Sequence, residues 1–126
     1  MEIEEGLSVA INRIEKCEHP VLVAVHGPQD AGKSYMISRL NKYFAEHGWD
    51  VAVGEGYMPP QSEEELHLPE FRCDLFLFHM SWQKHRHYPS VILDVAVYNP
   101  NFHKPPEGDY GIMIENHNSK KKSTSS

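Results

Sequence analysis

The chain has 126 residues, a formal net charge of −6 at pH 7 and only two cysteines. This length suits one domain with one core, and the acidic balance argues against binding nucleic acid by bulk electrostatics. No stretch approaches the roughly 20 apolar residues of a membrane span. The N-terminal segment is acidic and amphipathic, unlike a secretory signal, so we expect a cytoplasmic protein with reduced cysteines.

The first third of the chain predicts a helix, a buried strand and a second helix. Apolar residues at three- and four-residue steps indicate an amphipathic helix near the N-terminus. The continuous apolar run Val21 to Val25 is typical of a strand buried on both faces. A second helix is expected from Lys33 to His47, with Gly48 as its stop. The apolar positions of the two helices are Ile3, Leu7, Ile11 and Ile14, then Met36, Ile37, Leu40 and Phe44.

Between the strand and the second helix lies a phosphate-binding motif. The segment Gly27 to Ser34 matches G-x-x-x-x-G-K-[ST], the Walker A pattern, in the strand–loop–helix context that the motif requires. Glycines allow backbone N–H groups to surround a phosphate, and the start of the helix adds a positive end. Lys33 is expected to meet the β- and γ-phosphates and Ser34 to bind Mg²⁺. The predicted nucleotide-binding residues are Gly27, Pro28, Gln29, Asp30, Ala31, Gly32, Lys33, Ser34 and Tyr35.

The remaining elements predict an α/β fold. A second strand is expected at Asp50 to Val53, followed by a proline-rich loop at Glu55 to Gln61. Ser62 to Glu65 then predicts the N-cap and first turn of a short helix, which Pro69 must end. Three more apolar runs predict strands at Asp74 to His79, Val91 to Val97 and Tyr110 to Ile114. Buried strands favour a mostly parallel five-stranded sheet flanked by helices, of the P-loop NTPase-like class. The last two links are short for parallel crossovers, so either a late strand is antiparallel or these crossovers are irregular.

The domain is expected to span residues 1–118. Residues 119–126 are rich in lysine and serine and predict a disordered tail. A basic docking arm is the alternative for this tail.

The Walker loop, together with the segments Gly48 to Val53, Asp74 to Phe78, Val91 to Asp94 and Tyr110 to Asn116, resembles the core of uridine kinase-like P-loop kinases. This group includes phosphoribulokinase, pantothenate kinase and nicotinamide riboside kinase. The similarity spans most of residues 5–117, although the Walker loop is its one highly specific motif. The resemblance implies ATP and Mg²⁺ as ligands and phosphoryl transfer to a small-molecule acceptor.

The resemblance also assigns acidic residues. An acid after the second strand lies near Mg²⁺ and the acceptor hydroxyl in this family, and Glu55 matches that position. Glu55 is therefore a candidate catalytic base and metal ligand, with a solvated loop glutamate as the equally weighted alternative. The acid that ends the family's third strand is replaced here by His79. Asp94 is a candidate substitute acid, or a structurally satisfied strand residue.

A second departure concerns the lid. The family carries an arginine-bearing helical lid between its fourth and fifth strands, whereas this chain has only Asn99 to Asp109 there, with Lys104 as the one cation. A conventional lid cannot fit, so we expect slow catalysis by the chain alone or a lid supplied by a partner. The resemblance also places Asn116 to Asn118 near the nucleotide base.

Three weaker clusters have competing interpretations. The basic segment Lys84 to His87 either contacts substrate phosphates or forms a solvated turn. The histidines at 79, 85, 87 and 103 show no zinc-ligand spacing. Three aromatic residues line a substrate cleft or simply pack: Tyr57, Trp82 and Tyr98.

The sequence thus predicts a Mg-ATP-binding protein, a minimal or degenerate kinase-like phosphotransferase. Its expected partners are a nucleotide, an unidentified small-molecule acceptor and either a protein partner or a second copy of the chain. One alternative is a non-catalytic nucleotide-binding regulatory or scaffold module. The other is a GTP-binding accessory protein of the molybdopterin-dinucleotide type, which the lack of an N-K-x-D sequence disfavours.

Overall fold

Within the part of the chain that the structure describes, five parallel strands form a single sheet. The computed structural model describes residues 1–54, 64, 72–80 and 93–117. The prediction of an α/β fold with a mostly parallel five-stranded sheet is confirmed. The described elements are α1 (Ile3–Glu15), β1 (Val21–His26), α2 (Lys33–Glu46), β2 (Val51–Gly54), β3 (Leu75–Met80), β4 (Leu93–Tyr98) and β5 (Ile112–Glu115). The strand order in the sheet is β2-β3-β1-β4-β5.

Strand β1 lies at the centre of the sheet. It pairs in parallel with β3 on one side and β4 on the other, and all six of its residues are buried. An uninterrupted apolar strand tolerates this position because neither of its faces meets water. The segment that follows β1, which carries the Walker motif, therefore emerges at the middle of the carboxyl edge of the sheet.

Both described helices cover the same face of the sheet. Alternate β1 residues, Val21, Val23 and Val25, join one apolar cluster with the buried stripes of α1 and α2, as the strand period of two requires. The opposite face carries a separate cluster: Leu22, Ala24, Phe76, Phe78 and Met80. Among the described residues, no helix is both long and apolar enough to cross a membrane.

The sequence left open whether a late strand is antiparallel or the last crossovers are irregular, and the strand pairing decides between the two. Strand β4 pairs in parallel with β1, and β5 pairs in parallel with β4, so neither late strand is antiparallel. The link from β4 to β5, residues 99–111, makes this parallel return with turns and extended chain and contains no helix. The predicted loop after β2, the short helix that begins at Ser62 and the tail at 119–126 lie outside the described residues, apart from Glu64.

The N-terminal residues extend the sheet beyond β5, which the sequence did not predict. The Glu115 amide donates to the Met1 carbonyl over 2.8 Å, and Glu2 forms a parallel bridge with Glu115. Pairing of this kind covers part of an edge strand, whose open hydrogen-bonding groups would otherwise favour association.

Helix α1 approaches β5 so closely that Gly6 leaves no room for a side chain. A Cβ at Gly6 would lie 2.4 Å from Ile114 Cδ1 and 2.5 Å from Ile114 Cγ1. Ile114 is fully buried, so its side chain has little space into which to withdraw. Gly6 therefore sets the distance between α1 and the sheet.

We expect Gly6→Val to lower the free energy of unfolding by about 1–3 kcal/mol, the usual cost of overpacking a core. Urea unfolding followed by circular dichroism measures it. The matched control is Ser8→Val, an exposed site on the same helix, which should stay within about 0.5 kcal/mol. Equal unfolding midpoints for the Gly6 variant and the wild type would contradict this close contact.

Candidate functional site

The Walker loop is fixed by two glycines that have no space for a Cβ atom. At Gly27 a Cβ would lie 2.2 Å from the Val97 carbonyl oxygen of β4, and at Gly32 it would lie 2.4 Å from Asn116 Nδ2. Gly32 also has φ of 109°, and Asp30 has φ of 62°, a left-handed conformation that few side chains adopt readily. The two glycines of the motif are thus required here by contact with β4 and with the residue that follows β5.

The loop leads directly into α2, whose first backbone N–H groups are candidate hydrogen-bond donors to a phosphate. Gly32 is the N-cap and provides no side-chain cap. The Met36 amide donates to the Gly32 carbonyl over 3.0 Å, so the amides of Lys33, Ser34 and Tyr35 precede this first helical hydrogen bond. Such amides, with the helix dipole behind them, are a common binding site for anions.

Lys33 reaches across the loop to the neighbouring strand. Its ammonium group donates to the carbonyl of Met80, the last residue of β3, over 3.2 Å. Partial burial lowers the pKa of Lys33, because a cation is poorly solvated there. A phosphate close to this ammonium would favour the charged form and raise the same pKa.

Ser34 and Tyr35 differ in how they can serve a nucleotide. Ser34 is exposed at the start of α2, so its hydroxyl is accessible. The Tyr35 hydroxyl instead donates to Glu4 Oε2 of α1 over 2.8 Å, and Arg39 contacts both groups. The part of Tyr35 that remains available to a phosphate is its backbone N–H.

Asn116 lies under the loop rather than on its open side. The side chain is buried, and its Nδ2 donates to the Ala31 carbonyl over 3.1 Å. Its backbone amide donates to the Tyr98 carbonyl over 2.8 Å and so extends the pairing of β5 with β4. The sequence placed Asn116 near the base through the family resemblance, and no motif spacing signalled a contact with the Walker loop.

Asp94 is held by a histidine at the root of the loop. Its Oδ1 lies 2.8 Å from Nε2 of His26, a buried ring that also meets Tyr110 edge-on at 5.2 Å. Asp94 stands in register with Ala24, three residues before Gly27, which corresponds to about 10 Å along the strand. This position favours the structural interpretation of Asp94 over a role as a substitute metal acid.

The other candidates divide between described and undescribed parts of the chain. His79 lies on β3 beside Val25, directly before Met80. Tyr98 is buried, and both its burial and the nearby Glu115 raise its pKa, which fits packing better than a cleft. Within the described residues, no three His, Cys, Asp or Glu side chains come together as a metal site. The candidates that lie outside the described residues are Glu55, Tyr57, Trp82, Lys84 to His87 and Asn118.

The crossover from β4 to β5 borders an open cavity of about 540 Å³. Its first turn is fixed when the Asn99 amide donates to His103 Nδ1 over 3.1 Å. Its far end is fixed by the ring contact between Tyr110 and His26. The residues that line the cavity are Phe102, His103, Lys104, Pro105, Pro106, Glu107 and Tyr110.

Comparison with known proteins identifies the fold but not a family. No family model matches the chain, and no curated protein matches it. Among solved structures, the chain is similar to a possible uridine kinase from Bacillus stearothermophilus, with a TM-score of 0.53 and 10% sequence identity. The match covers 76% of this chain and 81% of the other. The chain therefore shares the fold of that structure, in agreement with the P-loop NTPase-like fold class predicted from the sequence.

If Asp94 supports the loop rather than the chemistry, Asp94→Ala should lower stability and leave the nucleotide affinity within about twofold. Loss of one hydrogen-bond partner of the buried His26 costs about 1–3 kcal/mol. Urea unfolding and calorimetric titration with Mg-ATP measure the two quantities. Glu107→Ala, which removes an exposed carboxylate of the crossover, is the control for charge. A large loss of Mg-ATP affinity with an unchanged free energy of unfolding would instead support Asp94 as a metal-binding acid.

Proposed function

We propose that this protein binds Mg-ATP at the Walker loop and is a small-molecule kinase-like phosphotransferase with low activity on its own. The observation that carries the proposal is the loop itself, built at the carboxyl edge between β1 and α2. Two glycines pack without space for a Cβ, and a partly buried lysine spans the loop to β3. Open α/β sheets bind ligands at this edge.

The chemical groups of the loop and of the first turn of α2 fit a nucleoside triphosphate. The loop and α2 offer backbone N–H donors, Lys33 offers a positive charge, and Ser34 offers an accessible hydroxyl for the metal. Mg²⁺, when bound, neutralises phosphate charge and bridges phosphate oxygens. The lowered pKa of Lys33 is consistent with a site in which an anion is the natural counterpart.

Phosphoryl transfer is the part of the proposal that depends on Glu55. An acid after β2 would accept the acceptor's hydroxyl proton or hold a metal-bound water. Slow turnover is expected because residues 99–111 supply one lysine and no arginine, whereas arginines stabilise the charge of the transferring group in fast enzymes. A protein partner or a second copy of the chain could supply that missing charge.

The rival proposal is a nucleotide-binding module without catalysis, which regulates or supports a partner. The short crossover favours it, because that link leaves no helix to close over the phosphates. A GTP-binding accessory protein of cofactor biosynthesis is a further alternative. Calorimetry with ATP and with GTP, each with Mg²⁺, distinguishes the nucleotides, and turnover distinguishes the kinase from the module.

Lys33→Ala should weaken Mg-ATP binding about ten- to hundredfold and leave the fold intact. A charge-assisted contact contributes about 1.5–3 kcal/mol, and this one is aimed at the most charged part of the ligand. Isothermal titration calorimetry measures the affinity. Lys42→Ala removes an exposed lysine from the same helix and should change the affinity little. Equal affinities in Lys33→Ala and the wild type, with both folded, would overturn nucleotide binding at this loop.

The proposed contact between Lys33 and the nucleotide phosphates also predicts that the affinity for Mg-ATP depends on pH. Because burial lowers the pKa of Lys33, its ammonium deprotonates at a lower pH than an ordinary lysine. Mg-ATP favours the ammonium form, so the affinity should fall as the pH rises through the lowered pKa and should be fully present below it. Lys33→Ala should show no such fall.

Glu55→Gln separates the kinase from the binding module. The substitution keeps the size and removes the charge, so the ATP affinity should change little. Turnover should fall about 10²–10⁴-fold if Glu55 is a positioned general base. The assay is phosphate transfer to candidate nucleosides and vitamins, with Glu46→Gln, an exposed site, as the control. Undiminished turnover in Glu55→Gln would remove this residue from the mechanism.

A further inference from the structure

We propose that Asn116 is a positioning residue, which orients the Gly32 N–H for phosphate by holding the carbonyl of the preceding residue. This inference rests on the proposed nucleotide function and assigns to Asn116 a role different from contact with the base. It concerns one peptide unit, between Ala31 and Gly32.

The peptide is held from below by a buried amide. Asn116 Nδ2 donates to the Ala31 carbonyl over 3.1 Å, Ala31 is 1% exposed, and Asn116 is 6% exposed. Asn116 is itself fixed, since its own N–H donates to the Tyr98 carbonyl over 2.8 Å. The amide thus belongs to the rigid end of the sheet and not to the loop that it holds.

Planarity of the peptide transmits this contact to the ligand side. In a trans peptide the C=O of one residue and the N–H of the next point in opposite directions. Because the Ala31 carbonyl is directed toward the buried Asn116, the Gly32 N–H is directed away from it, toward the open side of the loop. A preoriented donor loses little entropy when it binds an anion.

Gly32 shows that the contact depends on close approach. A Cβ at Gly32 would lie 2.4 Å from Asn116 Nδ2, so the amide occupies the space that a side chain would need. The second glycine of the motif and the residue after β5 therefore form one unit.

The contact requires a donor, which gives a near-isosteric test. A carbonyl oxygen can only accept, so the amide nitrogen of asparagine fits and a carboxylate does not. Asn116→Asp keeps the shape, removes the donor and opposes two oxygen atoms. Asn116→Ala removes the donor without adding charge, which keeps the test available if the first variant does not fold. Asn101→Asp, at an exposed position of the crossover, is the matched control for charge.

The chain allows this peptide to be observed alone. Ala31–Gly32 is the one Ala–Gly pair in the sequence. Labelling alanine with ¹³C at the carbonyl and glycine with ¹⁵N therefore gives one correlation peak. Its ¹³C shift reports the hydrogen bond to the Ala31 carbonyl, and its amide shift reports the Gly32 N–H. Calorimetric titration with Mg-ATP supplies the affinity of each variant.

We expect the wild-type peak to move when Mg-ATP is added. Without nucleotide, both Asn116 variants should shift the Ala31 carbonyl resonance, and their Mg-ATP affinity should be about ten- to hundredfold lower than that of the wild type. Asn101→Asp should match the wild type in both measurements.

Three results would overturn the inference while leaving nucleotide binding in place. The first is an unshifted Gly32 amide in wild-type protein saturated with Mg-ATP. The second is wild-type affinity in a folded Asn116 variant, and the third is reduced affinity with an unchanged Ala31 carbonyl resonance. Failure of the wild type itself to bind Mg-ATP would instead overturn the proposed function, and with it this role.

Discussion

The close contact of the Walker loop with the sheet is the constraint on which the candidate site depends. The loop lies against the Val97 carbonyl at Gly27 and against the Asn116 amide at Gly32, at distances that exclude any Cβ. The first contact is made by β4, and the second is made by the residue that follows β5. The conformation of the loop is therefore determined by β4 and β5 as much as by its own glycines.

A buried central strand makes that contact possible. Because β1 pairs on both sides and is buried on both faces, it fixes where the loop begins at the carboxyl edge of the sheet. Because successive side chains of β1 point to opposite faces of the sheet, its two faces make different contacts. Val21, Val23 and Val25 pack against the helices, while His26 on the other face binds Asp94 and contacts Tyr110. The root of the loop is consequently tied both to β4 and to the end of the crossover.

Under the proposed function, the described part of the site supplies groups for binding phosphate, whereas Glu55, the residue proposed for its transfer, lies outside the described residues. Oriented N–H groups, a partly buried ammonium and an accessible hydroxyl suit a charged, metal-bound nucleotide. Fast transfer also requires positively charged groups that stabilise the negative charge on the leaving and transferred groups, and it requires exclusion of water. The crossover of residues 99–111 contains no arginine, so the proposed binding and the proposed catalysis rest on different residues.

Local signals in the sequence determined the elements and the motif. Strand β1, helix α2 and the Walker pattern are each contained in one continuous segment, so their periodicity and spacing are visible along the chain, and the strand boundaries came within about two residues. Tertiary structure alone decided how distant segments meet. Asn116 binds Ala31 across 85 residues and His26 binds Asp94 across 68. The parallel direction of β4 and β5 belongs to the same class, because hydrogen bonds between remote strands leave no spacing pattern in either one. The partner of a buried amide or of a partly buried carboxylate is known only when the sheet has brought the two together.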